Sequence, residues 1–176
     1  DCDVEEPNVH LFLKGEGASE RRVSILIPEI IKERCTAGEG CDLCSQFCEF
    51  GAIACLGKLP LIMPEMCHGC GGCKRACPKK AICEVSHEIG TVTTSRYKHI
   101  SLVQGKMDIG MSLASGVIGE VREDIKRDGL AILDSPPGTS CPAVATIQGC
   151  DFAVLVTEPT PFGLNDLELA VEMTRA

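Results

Sequence analysis

The chain has 176 residues, with 17 Lys and Arg against 25 Asp and Glu, a formal charge of −8. That length fits one or two domains, and an apolar share of 44% with 24% charged residues excludes a disordered chain. The acidic balance argues against a general nucleic-acid binder or a polybasic membrane-surface protein, no apolar run reaches the ~18 residues of a membrane span, and no secretory signal is read at the start.

In chain order, residues 23–27, Val-Ser-Ile-Leu-Ile, predict a strand that enters a cysteine-rich block. Residues 53–55 and 59–63, separated by Gly57-Lys58, predict a short hairpin. Two strands, 82–85 and 91–94, are expected to leave the block. Beyond residue 100 the texture changes. Val117, Ile118, Val121 and Ile125 recur at helical spacing over 116–126, ending at Asp128-Gly129. Residues 130–134 form an unbroken apolar run that closes in Asp134, and 152–157 form a second; both read as buried parallel strands. Residues 166–173 then predict a helix. This alternation implies an α/β layer with a parallel sheet, whose ligands bind beyond the carboxyl ends of the strands. The loops 134–141 and 157–165 are the ones so placed.

The 13 cysteines carry the chemistry. An odd number cannot pair completely, and without a secretory signal a disulfide framework is the weaker reading. Ten lie between Cys35 and Cys83. Cys67-His-Gly-Cys70-Gly-Gly-Cys73-Lys-Arg-Ala-Cys77-Pro78 is C-x2-C-x2-C-x3-C-P, the bacterial ferredoxin run whose thiolates bind the irons of [4Fe–4S] clusters. Cys41, Cys44 and Cys48 recur 29 positions later as Cys70, Cys73 and Cys77, and Ala52-Ile53 as Ala81-Ile82. Two-cluster ferredoxins exchange their fourth ligands. On that pattern Cys67, Cys70, Cys73 and Cys48 bind one cluster, and Cys41, Cys44 and Cys77 supply three ligands of the other. The partner expected at position 38 is glycine. Cys35 is assigned instead, reached through the longer loop Thr36-Ala37-Gly38-Glu39-Gly40. Cys55 competes for that place, and a three-iron cluster is a further alternative. Structural zinc is the plain competitor for the block, yet it favours two separated pairs over four thiols within eleven residues. His68 reads as a solvent-facing spacer; Cys55 and Cys83 read as buried small hydrophobes.

Three segments outside the block carry a wider resemblance. Asp1-Cys2-Asp3-Val4-Glu5-Glu6-Pro7-Asn8 resembles the switch segment of the MinD/ParA class of P-loop ATPases. Residues 133–142, Leu-Asp-Ser-Pro-Pro-Gly-Thr-Ser-Cys-Pro, and 156–164, Val-Thr-Glu-Pro-Thr-Pro-Phe-Gly-Leu, resemble the branch with an inserted ferredoxin domain, similar to cobyrinic acid a,c-diamide synthase. The resemblance implies a partial parallel-sheet P-loop NTPase domain over 1–22 and 97–176. It also implies an inserted α+β, bacterial-ferredoxin-like domain over 23–96 that carries two [4Fe–4S] clusters. Asp3 would sit near Mg²⁺ and the attacking water, Asp134 would be the Walker-B acid, and Gly138 would sense the γ-phosphate, with Pro137 and Thr139 beside it at the nucleotide. Asp1 is a second-line candidate. The chain departs from that family in one respect: no Gly-Lys-Ser/Thr phosphate loop is present, since Gly57-Lys58 precedes Leu59 and Gly105-Lys106 precedes Met107. It is therefore read as an internal fragment.

The function expected of the parent protein is ATP binding and hydrolysis, with Mg²⁺, coupled to electron transfer through the clusters. Its partner would be a redox protein of unspecified identity or a dimer mate. A passive electron-transfer module and a cluster carrier, with Cys141 as its candidate residue, are the alternatives. Free thiolate chemistry points to a reducing cytoplasm.

Overall fold

The computed structural model describes residues 1–126 and 129–175. In chain order the elements are α1 (Val9–Phe12), β1 (Glu16–Ile30), α2 (Leu43–Phe47), β2 (Ile53–Cys55), β3 (Pro60–Ile62), α3 (Gly72–Ala76), β4 (Ile82–Tyr97), β5 (Ile100–Met107), α4 (Ala114–Glu123), α5 (Cys141–Ile147) and α6 (Pro161–Arg175). Three strands form one sheet in the order β1-β4-β5, and β2 with β3 form a second. The expected hairpin is present: Ile53 faces Ile62, and Cys55 faces Pro60, antiparallel. The two strands expected at 82–85 and 91–94 are one continuous strand, β4. Its β-branched content carries the ladder through Gly90, and Ile89 and Val92 beside it are fully buried. The two-residue turn Lys98-His99 joins β4 to β5, with Lys98 at φ 54° as a tight hairpin turn demands.

Internal contacts divide the chain into two units. The first comprises Asp1–Arg21, Thr91–Met107 and the chain from Ala114 onward; the second comprises Arg22–Gly90 and Asp108–Leu113. The units change over at 21/22 and 90/91, with 108–113 in the second, beside the limits after 22 and 96 that the resemblance implies.

In the first unit, α4 turns Val117, Ile118 and Val121 inward, the face its spacing predicted, but starts two residues earlier than expected and ends at Glu123. The expected stop at Asp128 lies outside the described residues. The opening segment lies along β5: Gly105 N–H donates to the Asp1 carbonyl at 3.2 Å and Met107 N–H to the Val4 carbonyl at 2.7 Å. Val4 is buried against Gly105 and α4. The Arg122 guanidinium donates to the carbonyls of Ala145, Thr146 and Gln148, meeting acceptors that the end of α5 leaves free. Helix α6 begins at Pro161, five residues before the expected 166. Thr160 supplies the reason: its hydroxyl accepts the Gly163 N–H at 3.0 Å, with proline at the first helical position.

The runs 130–134 and 152–157 form no strand in this structure, against expectation. Leu130 and Phe152 are each more than nine-tenths exposed. A parallel strand needs backbone partners alongside it; at the end of the first run Cys2 N–H donates to the Asp134 carbonyl at 2.8 Å.

No described helix is long and apolar enough to cross a membrane.

Gly105 marks a close-packed point of the first unit's core. A Cβ there would lie 2.7 Å from methyls of both Val4 and Val121 and 3.1 Å from Val117. Gly105→Ala is expected to cost about 1–3 kcal/mol through overpacking, measured as a lower urea midpoint at unchanged slope.

Candidate metal centre

The second unit repeats one local design twice. Lys32–Arg34 form a single 3-10 turn that ends at Cys35 with φ −78° and ψ 130°. Pro64–Met66 form another that ends at Cys67 with φ −79° and ψ 128°. Each is followed by a five-residue helix whose C-cap is again a cysteine, Cys48 after α2 and Cys77 after α3. The caps match as well: Gly51 N–H donates to the Cys48 carbonyl, and Lys80 N–H to the Cys77 carbonyl, each at 3.1 Å. Cys35 thus holds the backbone place of Cys67, although its spacing to the next thiol is longer. The extra residues are taken up by a 3-10 turn, Ala37–Glu39, ending at Gly40.

The two copies are joined crosswise. Ile31 N–H donates to the Ala81 carbonyl at 2.8 Å, and Met63 N–H to the Ala52 carbonyl at 2.9 Å. Ile31 and Met63 each stand four residues before the first cysteine of their copy, and Ala81 and Ala52 four after the last. The first bond sets the Cys35 turn beside Cys77; the second sets the Cys67 turn beside Cys48.

Two cavities result. One is lined by Cys35, Cys41, Cys44 and Cys77 with the apolar Ile30, Pro60 and Ile82. The other is lined by Cys48, Cys67, Cys70 and Cys73, with Phe47, Phe50, His68 and Glu84 at its wall. The first is the tighter. Cys67 and Cys73 are buried, and Cys70 is exposed. Apolar packing holds the thiols in place: Cys67 sits with Ile27 and Ala52, and Cys73 with Ile53 and Ile82. Phe47 of α2 lies so close over α3 that a Cβ at Gly72 would overlap its ring. The loop of the second copy needs glycine at 69, where φ is +65° and a Cβ would come within 3.2 Å of the Leu26 carbonyl oxygen.

The donor set suits iron–sulfur ligation. Burial pushes the Cys67 and Cys73 thiols up, against the opposing pull of N–H groups such as Gly69 on Cys67. Burial, then the neighbouring Cys55, pushes Cys44 up to about 12. Thiolate ligation must therefore displace protons from these sites. Backbone N–H groups already point at sulfur: Gly69 to Cys67 Sγ at 3.5 Å and Ala81 to Cys77 Sγ at 3.3 Å. Such bonds tune cluster potential. Among the described residues no three His, Cys, Asp or Glu side chains are placed to share one metal ion; a [4Fe–4S] cluster would take one thiolate on each of four separate irons, which spaces its ligands wider than one ion does.

Two minor expectations are corrected. His68 is not a solvent-facing spacer: it is half-buried and stacks on Phe50, ring centroids 3.7 Å apart and 6° from parallel. Cys55 and Cys83 are half-buried, because hairpin and sheet edges leave one side open; Cys55 neighbours Cys44, and Cys83 donates to the Glu29 carbonyl at 3.5 Å. Cys141 is exposed at the start of α5, where no core lies over it. The spacing signal could not reveal the Phe47, Phe50 and Glu84 walls, since none belongs to the cysteine pattern.

In the first unit the other site candidates are placed separately. Asp1 is a buried acid that organises the opening turn: its carboxylate accepts the N–H groups of Asp3, Asn8 and Val9. The bond from Cys2 to Asp134 brings the segment that carries Asp3 beside the end of the 130–134 run. Asp134 is exposed, and Pro137, Gly138 and Thr139 lie in the loop before α5, with Gly138 at φ +84°.

The family described as "4Fe-4S binding domain" matches residues 60–83. The chain is also similar to two proteins of Methanocaldococcus jannaschii, the uncharacterized proteins MJ0578 and MJ0579, at 30% and 27% identity over 176 residues. Each match covers 98% of this chain, which spans 60% and 62% of those relatives' lengths. With the thiol geometry above, the match identifies a ferredoxin-like iron–sulfur domain that binds a [4Fe–4S] cluster and serves electron transfer.

Cys35 and Cys55 separate experimentally. Cys35→Ser is expected to lower the iron content of anaerobically reconstituted protein by about half, whereas Cys55→Ser retains it; iron and acid-labile sulfide analysis reads both.

Proposed function

We propose that the cysteine block carries electrons through two [4Fe–4S] clusters, one held by Cys35, Cys41, Cys44 and Cys77 and the other by Cys67, Cys70, Cys73 and Cys48. The crossed backbone bonds from Ile31 to Ala81 and from Met63 to Ala52 are the observation that carries this reading. They draw the last cysteine of each copy toward the other copy's leading trio. A bound cubane supplies a one-electron couple whose potential follows hydrogen bonds to sulfur and exposure. The chain's own part is to hold eight thiolates in fixed geometry, to keep most of them from bulk water, and to aim the Gly69 and Ala81 N–H groups at sulfur.

For the whole protein we propose nucleotide-dependent electron transfer by a MinD/ParA-like ATPase with this block inserted, over the domain limits 1–22, 97–176 and 23–96. In that reading Asp3 and Asp134 serve Mg²⁺ and water, and Pro137, Gly138 and Thr139 serve the phosphates of ATP. The reading is supported by the adjacency of the Asp3 segment and Asp134, and by the left-handed Gly138 in an exposed loop. The runs 130–134 and 152–157 would gain their strand character within a larger parallel sheet. Phosphoryl transfer would rest on positioning and charge stabilisation.

Three measurements test these proposals. The chain purified without oxygen is expected to hold about eight irons and as many labile sulfides; about four would leave a single cluster. Cys48→Ser is expected to perturb the cluster of the Cys67 copy and Cys77→Ser that of the Cys41 copy, seen as loss of distinct EPR signals on reduction. In the full-length protein, a non-hydrolysable ATP analogue with Mg²⁺ is expected to shift a cluster midpoint potential, and Asp134→Asn to abolish the shift. A potential insensitive to nucleotide would favour passive electron transfer.

A further inference from the structure

The two copies differ at their exits. After Cys48 the chain runs Glu49-Phe50-Gly51-Ala52; after Cys77 it runs Pro78-Lys79-Lys80-Ala81. Both make the same turn and the same N–H to carbonyl bond. Both place the third residue in the left-handed region, Gly51 at φ 65° and Lys80 at φ 49°. Glycine adopts that conformation without penalty, and a lysine does not. The second copy therefore keeps a side chain where its own duplicate shows that none is needed. Backbone strain held at one place is a pointer to function there.

The lysine does not stand alone. Arg75, Lys79 and Lys80 are exposed, and among the described residues none forms an ion pair; Lys74 of the same stretch pairs with Glu84 at 2.5 Å. Lys79 lines the cavity that contains Cys35, Cys41, Cys44 and Cys77. In a chain of charge −8, this stretch concentrates positive charge, and Lys79 brings it to one thiol set. Arg75 lies in the last turn of α3, where a cation suits the helix end, but Lys79 and Lys80 lie beyond the helix, and the equivalent exit after α2 carries Glu49 and Phe50 instead. Around Cys35 and Cys41 the basic Lys32 and Arg34 alternate in sequence with Glu33, Glu39 and Asp42, whereas 74–80 holds four basic residues and no acid.

We propose that the Arg75–Lys80 edge is the docking face for an acidic electron-carrier protein, which exchanges electrons with the thiol set of Cys35, Cys41, Cys44 and Cys77. The aromatic rim of the other set, Phe50 stacked on His68, lacks that charge. Complementary charge at such a face raises the encounter rate and sets orientation, and salt screens it. The proposal rests on the electron-transfer reading above.

The test uses the reconstituted chain, with iron and sulfide quantified first; absence of iron would sink the electron-transfer reading before the docking face is examined. The dithionite-reduced chain is mixed in stopped flow with hexacyanoferrate(III), which takes one electron and becomes hexacyanoferrate(II), or with hexaamminecobalt(III), which takes one electron and becomes cobalt(II). An acidic plant-type ferredoxin serves as the protein probe. Lys80→Gly and the pair Lys79→Gln with Lys80→Gly are compared with the parent chain. At low salt the double variant is expected to react several-fold more slowly with the anionic oxidant and faster with the cationic one. A mere change of cluster potential would move both rates the same way. Calorimetry is expected to show the oxidised chain binding the acidic ferredoxin about tenfold more weakly in the double variant, with the difference lost at high salt. Lys80→Gly is also expected to raise the unfolding midpoint of the cluster-free chain, reporting relief of the left-handed lysine. Rates unchanged by the double variant, or shifted the same way with both oxidants, or ferredoxin affinity untouched by it, would overturn the proposal.

Discussion

Two crossed hydrogen bonds organise the cysteine-rich unit. Ile31 and Met63 each reach the carbonyl that follows the other copy's last cysteine, Ala81 and Ala52. Without that crossing, each copy would be a short turn and a five-residue helix, too small to persist alone. With it, the thiols of each set come from both copies, and Cys48 and Cys77 belong structurally to the copy they do not follow in sequence. Apolar contacts of Ile27, Ala52, Ile53 and Ile82 support the arrangement. The hydrophobic core of the unit is thus also the wall of its thiol cavities. A metal centre would complete a core of this size, because ligation free energy adds to folding free energy.

Duplication followed by divergence explains the unequal halves. The 3-10 turns before Cys35 and Cys67 agree within two degrees at their final residue, so the first copy preserves its geometry despite three inserted residues. Its Ala37–Glu39 turn absorbs the length. The exits of the copies have moved apart in chemistry, one acidic and aromatic, the other basic. The two exits thus share a left-handed turn while their side chains carry opposite charge.

The other unit is governed by a different constraint. Val4 and α4 press against Gly105, and the opening segment bonds on one side to β5 and on the other to Asp134. Buried Asp1 spends its carboxylate on backbone N–H groups, which makes it an organiser of the turn. The apolar runs 130–134 and 152–157 remain exposed, since a doubly buried strand acquires its form from neighbours and not from its own composition.

Local chemistry was legible in the residues themselves. The spacing of Cys67, Cys70, Cys73 and Cys77 announces iron–sulfur ligation, because four thiols so close suit a multi-iron group. The hairpin follows from two short runs on either side of Gly57-Lys58, and the helical face of Val117, Ile118 and Val121 from periodicity. Thr160-Pro161 carried a helix start that periodicity missed, since a cap is a hydrogen-bond feature with no hydrophobic period. The remainder needed three dimensions. That Cys35, not Cys55, shares the backbone geometry of Cys67, that His68 stacks on Phe50, and that Lys80 sits where its counterpart is glycine are facts of distance and dihedral angle. Residues far apart in the chain, such as Ile31 and Ala81, become neighbours only when long-range backbone pairing brings them there, and no spacing rule encodes that pairing.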